Sequence, residues 1–215
     1  ADSIFRIENQ LNVLDFDIVT AELTVRDAKR FLLTDSLTIS SFGVDTVHIK
    51  YWNYKANHEK KDPRDQIQQL ISKLTPDLLL DSFAIHHASL DFYTTKSPKS
   101  FEHHIADFAI DLEQIQINDE IGKNNLFFTP QFQIQVKNYA FQDSIHQLEV
   151  KKVVFDSKTK SINVENISFD KGDKANLKIP SIRVQSPQIA NYIYNKKLIL
   201  DSLIVSDPNI QLSGI

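Results

Sequence analysis

Seven histidines are the residues best suited to chemistry: His48, His58, His86, His87, His103, His104 and His146. Imidazole binds divalent metals and moves protons near neutral pH. Two adjacent pairs, His86–His87 and His103–His104, stand on neighbouring runs of alternating apolar and polar residues. Successive side chains of a regular strand point to opposite faces, so such a pair cannot offer both rings to one ion. No His-x-x-x-His spacing occurs, and no carboxylate completes an obvious ligand set. The expectation is solvated strand histidines and no metal site.

The acids are equally uncommitted. Asp81, Asp91, Asp107, Asp111 and Glu113 could supply the paired carboxylates of a glycosidase. Any such pair is drawn from 28 acidic residues, and no spacing singles one out. Asp107 and Asp111 read better as the polar face of a strand whose other face carries Phe108, Ile110 and Leu112. Ser144 or Ser202 with a histidine lacks the strand–turn–helix setting of an activated serine. There is no Cys, hence no thiol nucleophile, thiolate zinc site or disulfide framework. The four glycines, Gly43, Gly122, Gly172 and Gly214, are too scattered for a phosphate-cradling loop or a dinucleotide fingerprint. A non-enzymatic protein without a cofactor is expected.

Composition narrows the partners. Net charge is −4 and the isoelectric point about 6.0, so nucleic acid is not an expected partner. A hydrophobic fraction of 41% suffices for a core. No run of about 18 apolar residues is present to cross a membrane as a helix, and no signal peptide is visible. The chain starts at Ala1 and contains no Met, which points to a processed or excised piece whose targeting segment or anchor lies elsewhere. One elongated domain over residues 1–215 is expected, with possible sub-units 1–56, 62–117 and 126–215.

The elements that would carry these residues are nearly all strands. The central stretch, Leu78 to Ile117, holds two long alternating runs joined by a polar turn over residues 94–100, which reads as a hairpin. In its second run Phe108, Ile110 and Leu112 share one register, and Ile115 and Ile117 the other. Further strands are predicted at Phe5–Leu14, Phe16–Val25, Phe31–Ile39 and Val44–Tyr54, with a split near Ser40-Ser41-Phe42-Gly43. A register change at Thr20-Ala21 predicts a bulge or bend. Later strands follow at 126–136, interrupted by Pro130, then at 144–155, 161–169, 176–184 and 198–212. One helix is predicted over residues 62–75: Asp62 caps it, Pro63 opens it, and Ile67, Leu70, Ile71 and Leu74 form one stripe. It lacks the basic face of a membrane-surface helix, so capping a sheet end is favoured. A second short helix is expected near 187–196. Trp52, between Tyr51 and Tyr54, is expected to pack rather than to bind. The fold class is therefore mostly β: an elongated, curved antiparallel sheet, or β-groove, with one or two short helices.

A repeat runs through these strands. Leu80-Asp81-Ser82-Phe83-Ala84-Ile85 is echoed by Leu200-Asp201-Ser202-Leu203-Ile204-Val205, and more loosely by Thr34-Asp35-Ser36-Leu37-Thr38-Ile39. Such a unit cannot bury its apolar face alone and must stack on neighbours or curl over.

The phrase Leu200 to Leu212, with its Asp207-Pro208, resembles the strand phrases of AsmA-like proteins, in the style of their Bacteroidetes branch. Pro76 to Tyr93, Leu148 to Phe169 and Ile179 to Leu212 look like further units of that type. The resemblance implies a periplasmic envelope protein, anchored in the inner membrane by a segment outside this chain. It also implies a long sheet curled into an apolar groove that holds or conducts lipid acyl chains, in lipid transport or outer-membrane assembly. The implied partners are a phospholipid or other acyl lipid and envelope proteins. Candidate groove residues are Phe83, Ile85, Leu90, Phe92, Phe108, Ile110, Leu112, Phe132 and Ile134. The same aromatic residues would equally serve an ordinary core. A structural or adhesion-type module, binding a protein through an edge strand, is the alternative.

Overall fold

The computed structural model describes residues 12–26, 36–53, 77–94, 102–117, 129–172, 175–188 and 197–212. Their alternating sequence produces ten strands and, among the described residues, no helix. The strands are β1 (Asn12–Val25), β2 (Ser36–Asn53), β3 (Asp77–Thr94), β4 (His103–Ile117), β5 (Gln131–Gln142), β6 (Gln147–Asp156), β7 (Ser161–Asp170), β8 (Ala175–Gln185), β9 (Ser202–Ser206) and β10 (Asn209–Leu212). They form one open, curved sheet in the order β1-β2-β3-β4-β5-β6-β7-β8-β10, with β9 also on β8. The mostly β, elongated, curved architecture expected from the alternation is the one observed.

Three details differ from expectation. The pairing of β2 with β3 is parallel, so the sheet is not antiparallel throughout. The predicted split near residues 40–43 does not occur, because β2 runs through it. Gly43 there keeps an ordinary strand backbone, so its glycine marks no turn. Pro130 precedes β5 rather than interrupting it, which leaves a residue without an N–H outside the ladder. The expected helix at 62–75, the strand segments before Asn12 and most of 187–196 lie outside the described residues.

The strands are long for a globular sheet, and two lines of backbone irregularity cross them. On the first line the register skips Thr46 and His87 of β2 and β3, then Asn138, Lys151, Asn166 and Pro180 of β5 to β8. Thr46, His87, Asn138 and Asn166 have positive φ, from 51° to 55°. That region suits Asn but is uncommon for Thr. Each skip advances the alternation by one residue. Val44 and Val47, Ile85 and Ala88, and Val164 and Ile167 therefore share a face despite a spacing of three. The register change expected at Thr20-Ala21 lies on this line, where β1 passes Val19. Pro180 is tolerated inside an internal strand because the ladder is interrupted there. A second line passes Ser40, Asp81 and Gln114, the last with φ 57°. It explains why Leu112 and Ile115 share a face.

The core is correspondingly thin. Leu80, Leu112, Ile115 and Phe132 form one buried cluster, flanked by Ile39, Phe42, Phe83, Ile110, Ile134 and Phe155. Val44, Val47 and Ala88 form a second, flanked by Phe42, Ile49, Ile85 and Phe108. Both lie on one face of the sheet. Neighbouring rings add directional contacts: Phe132 meets Phe155 edge-on at 4.7 Å, and Phe42 meets Phe83 at 5.6 Å. Such pairs contribute about 0.5–1.5 kcal/mol beyond their area.

Candidate functional site: an apolar sheet face

The cross-strand register turns the alternation into transverse apolar rows. One row runs Val44, Ile85, Ile110, Ile134, Phe155, Ile162, Val184 and Leu203 from β2 to β9. The next runs Val47, Ala88, Phe108, Val136, Val153, Val164, Ile182 and Val205. Beyond these lie Ile49, Leu90, Ile105, Tyr139 and Val150, and then Tyr51, Phe92, His103, Phe141, Leu148 and Phe169. On the other side are Phe42, Phe83, Leu112 and Phe132, then Ile39, Leu80 and Ile115. At roughly 3.3 Å per residue, Leu80 to Phe92 spans about 40 Å along the strand, more than the roughly 30 Å of a bilayer's hydrocarbon core. All nine groove candidates, Phe83, Ile85, Leu90, Phe92, Phe108, Ile110, Leu112, Phe132 and Ile134, fall on this face. No second sheet packs on it among the described residues.

The opposite face is charged. Lys137 Nζ lies 2.7 Å from Asp107 Oδ2, with His87 Nδ1 3.7 Å from the other Asp107 oxygen. Lys158 Nζ is 2.9 Å from Glu113 Oε1, His104 Nδ1 2.6 Å from Asp91, and Arg26 2.6 Å from Asp81. Four of the five acids weighed as catalytic candidates thus face an Arg, Lys or His side chain, and such pairs contribute about 0–1 kcal/mol each at a solvated surface. His48 Nδ1 meets the Ser89 hydroxyl at 2.8 Å. Trp52 stacks on Tyr93 at 5.1 Å. The described residues hold no cluster of three or more His, Asp or Glu able to grip a metal, and no helix long and apolar enough to cross a membrane.

The edges of the apolar face are fixed by local hydrogen bonds. Thr129, only 1% exposed, donates its hydroxyl to the Glu113 carbonyl and accepts from the Gln131 N–H at 3.0 Å. The Phe132 N–H donates to Ser157 Oγ at 2.7 Å, and the Ser157 N–H returns a bond to the Phe132 carbonyl at 3.0 Å. Between β5 and β6, Asp143 Oδ1 accepts the Ile145 and His146 N–H groups, both at 2.7 Å. Those backbone bonds, first from Ile145, and the His146 ring pull the Asp143 carboxyl from its usual 3.8 to about 2.

The histidines divide in a way that plain alternation does not foresee. His103 and His104 do face opposite ways, but only His104 lies on the charged face. His103 sits in the last apolar row, and the expectation of a solvated strand histidine does not describe it. Its ring centroid is 4.9 Å from Phe141, 5.4 Å from Phe92 and 6.1 Å from Tyr139. Its Nδ1 is 2.8 Å from the Tyr139 hydroxyl. Burial pushes the Tyr139 hydroxyl above its ordinary range, so it stays protonated at neutral pH. The sequence signal was available: His103 continues the register of Ile105. His87, by contrast, is not on a regular strand, since its φ is 53°.

Among the described residues the fold and this face define the class: an open single-layer sheet, one surface apolar and the other charged. Neither a family model nor a curated protein matches the chain.

Proposed function

We propose that this chain is a non-enzymatic, AsmA-like envelope module that holds or conducts lipid acyl chains on its apolar face. On this reading it works in the periplasm, anchored in the inner membrane through a segment outside this chain, in lipid transport or outer-membrane assembly. One observation carries the reading: apolar rows continue across the strands while no second layer covers them among the described residues. An uncovered apolar surface of this extent costs free energy in water, at about 25 cal/mol per Å². Acyl chains would relieve that cost without demanding any directional bond. Purification without detergent, followed by extraction and lipid mass spectrometry, tests the proposal. Acyl lipid at near-stoichiometric amounts is expected, and it should fall in Ile110→Asn and Phe92→Asn variants that keep their β-sheet circular dichroism. A lipid-free monomer would overturn it.

A second reading, protein binding through a sheet edge, is favoured by a separate observation. The edge strands expose apolar side chains, Val19 at 65% and Ile210 at 63% among them. Unpaired edges with apolar side chains template the pairing of another strand.

A further inference from the structure

We infer that the His103 end of the apolar face holds the anionic head of an acyl lipid, with His103 as its polar contact and Tyr139 holding the imidazole in place; this rests on the reading of that face as an acyl site. The rows through Val44 and Val47 are hydrocarbon from β2 to β9. The row at His103 is different in kind. There an imidazole is enclosed by Phe92, Phe141 and Tyr139. Among the described residues the ring is engaged through Nδ1, which meets the Tyr139 hydroxyl at 2.8 Å. Nε2 has no partner among the described residues. With the Tyr139 hydroxyl donating to Nδ1, the ring proton sits on Nε2, and Nε2–H is left to donate to an anionic oxygen. A hydrogen bond to an ionised acceptor is stronger than one between neutral groups, so a phosphate or carboxylate there gains more than an uncharged head. The tail would lie along the hydrocarbon rows, and the two ends of the face would differ in what they accept.

Titration of the purified chain with dodecyl phosphate, dodecanol and inorganic phosphate, each below any micelle threshold, tests this. The alkyl phosphate is expected to bind about tenfold tighter than the alcohol. His103→Phe should remove that preference, weakening dodecyl phosphate binding far more than dodecanol binding. Tyr139→Phe keeps the ring, and with it the packing, and should lower the preference in part. Equal binding of the two alkyl probes by the unmodified chain, or a preference that survives His103→Phe, would overturn the inference while leaving the acyl reading intact. Binding of neither alkyl probe would instead sink the acyl reading itself. Inorganic phosphate binding as tightly as dodecyl phosphate would overturn the lipid assignment in favour of a free anion site.

Discussion

The phrase Leu80 to Phe92 lies in the middle of the sheet, and its echo Leu200 to Leu212 lies at the edge. Both place a positive-φ residue at the eighth position, His87 at 53° and Asp207 at 42°. Both put their first apolar pair on the same face, Phe83 and Ile85 in one copy, Leu203 and Val205 in the other. The interior copy is one strand of 18 residues, paired on both sides. The edge copy is broken into two strands of five and four residues. Leu80 is 8% exposed and Ala88 fully buried, whereas Leu203 and Leu212 are 56% and 66% exposed. The same local sequence therefore gives the same backbone turn in both places. Strand continuity and burial come from neighbours, and a strand with one neighbour gets little of either.

The largest expected effect separates the copies by burial. Phe83→Ala should destabilise the chain by about 3 kcal/mol, because the ring packs against the cluster around Leu80 and Leu112. Leu203→Ala, at the equivalent edge position, should stay within about 0.5 kcal/mol. Equal losses in urea melts would mean that the edge is covered in solution. A smaller effect tests the shared turn. Glycine at position 46 relieves a strained backbone, and Thr46→Gly should gain about 0.5–1 kcal/mol. His87→Gly and Asp207→Gly should change little, since His and Asp both tolerate that region. If His87→Gly destabilises, its side chain near Asp107 contributes more than the backbone does. The smallest effect probes turn chemistry inside the meander. Asp143 has a carboxyl depressed to about 2 in the folded chain, so its contribution is fully present above 3.8 and is lost as pH falls towards 2. Asp143→Asn should therefore melt slightly lower than the unmodified chain at pH 6, with the two curves converging by pH 2. A gap that widens on acidification would contradict the assigned sign.

Much of this face was legible in the sequence because period-two alternation survives the irregularities. The nine candidate residues share a face for that reason. The phase changes were legible too, as apolar residues spaced by three: Ile18 to Ala21 and Leu112 to Ile115. Pairing order was less so. Nothing in β2 or β3 declares a parallel neighbour, since that choice depends on the connection over residues 54–76. The third copy of the repeat was misplaced for a related reason. Thr34-Asp35-Ser36 matches by residue type, but the structure sets Ser41-Phe42-Gly43-Val44 beside Ser82-Phe83-Ala84-Ile85, with Thr46 beside His87. Register follows the positive-φ position, which residue type alone hides when Thr, His and Asp all occupy it. His103 was missed because histidine is counted as polar, so its place in an apolar register passes unnoticed.

The line of skipped residues through Thr46, His87, Asn138, Asn166 and Pro180 works as a shared crease. A crease at one level in every strand makes two dimensions independent. In β2, β3 and β4 the profile of the gutter is set along the strand, by how many residues separate one crease from the next. Its reach is set across the strands, by how many are laid side by side. Adding a strand that carries the same skip would lengthen the gutter and leave its bore untouched. Adding one residue between the creases of a single strand would turn every side chain beyond it inside out. A sheet built this way can evolve in length far more freely than in width.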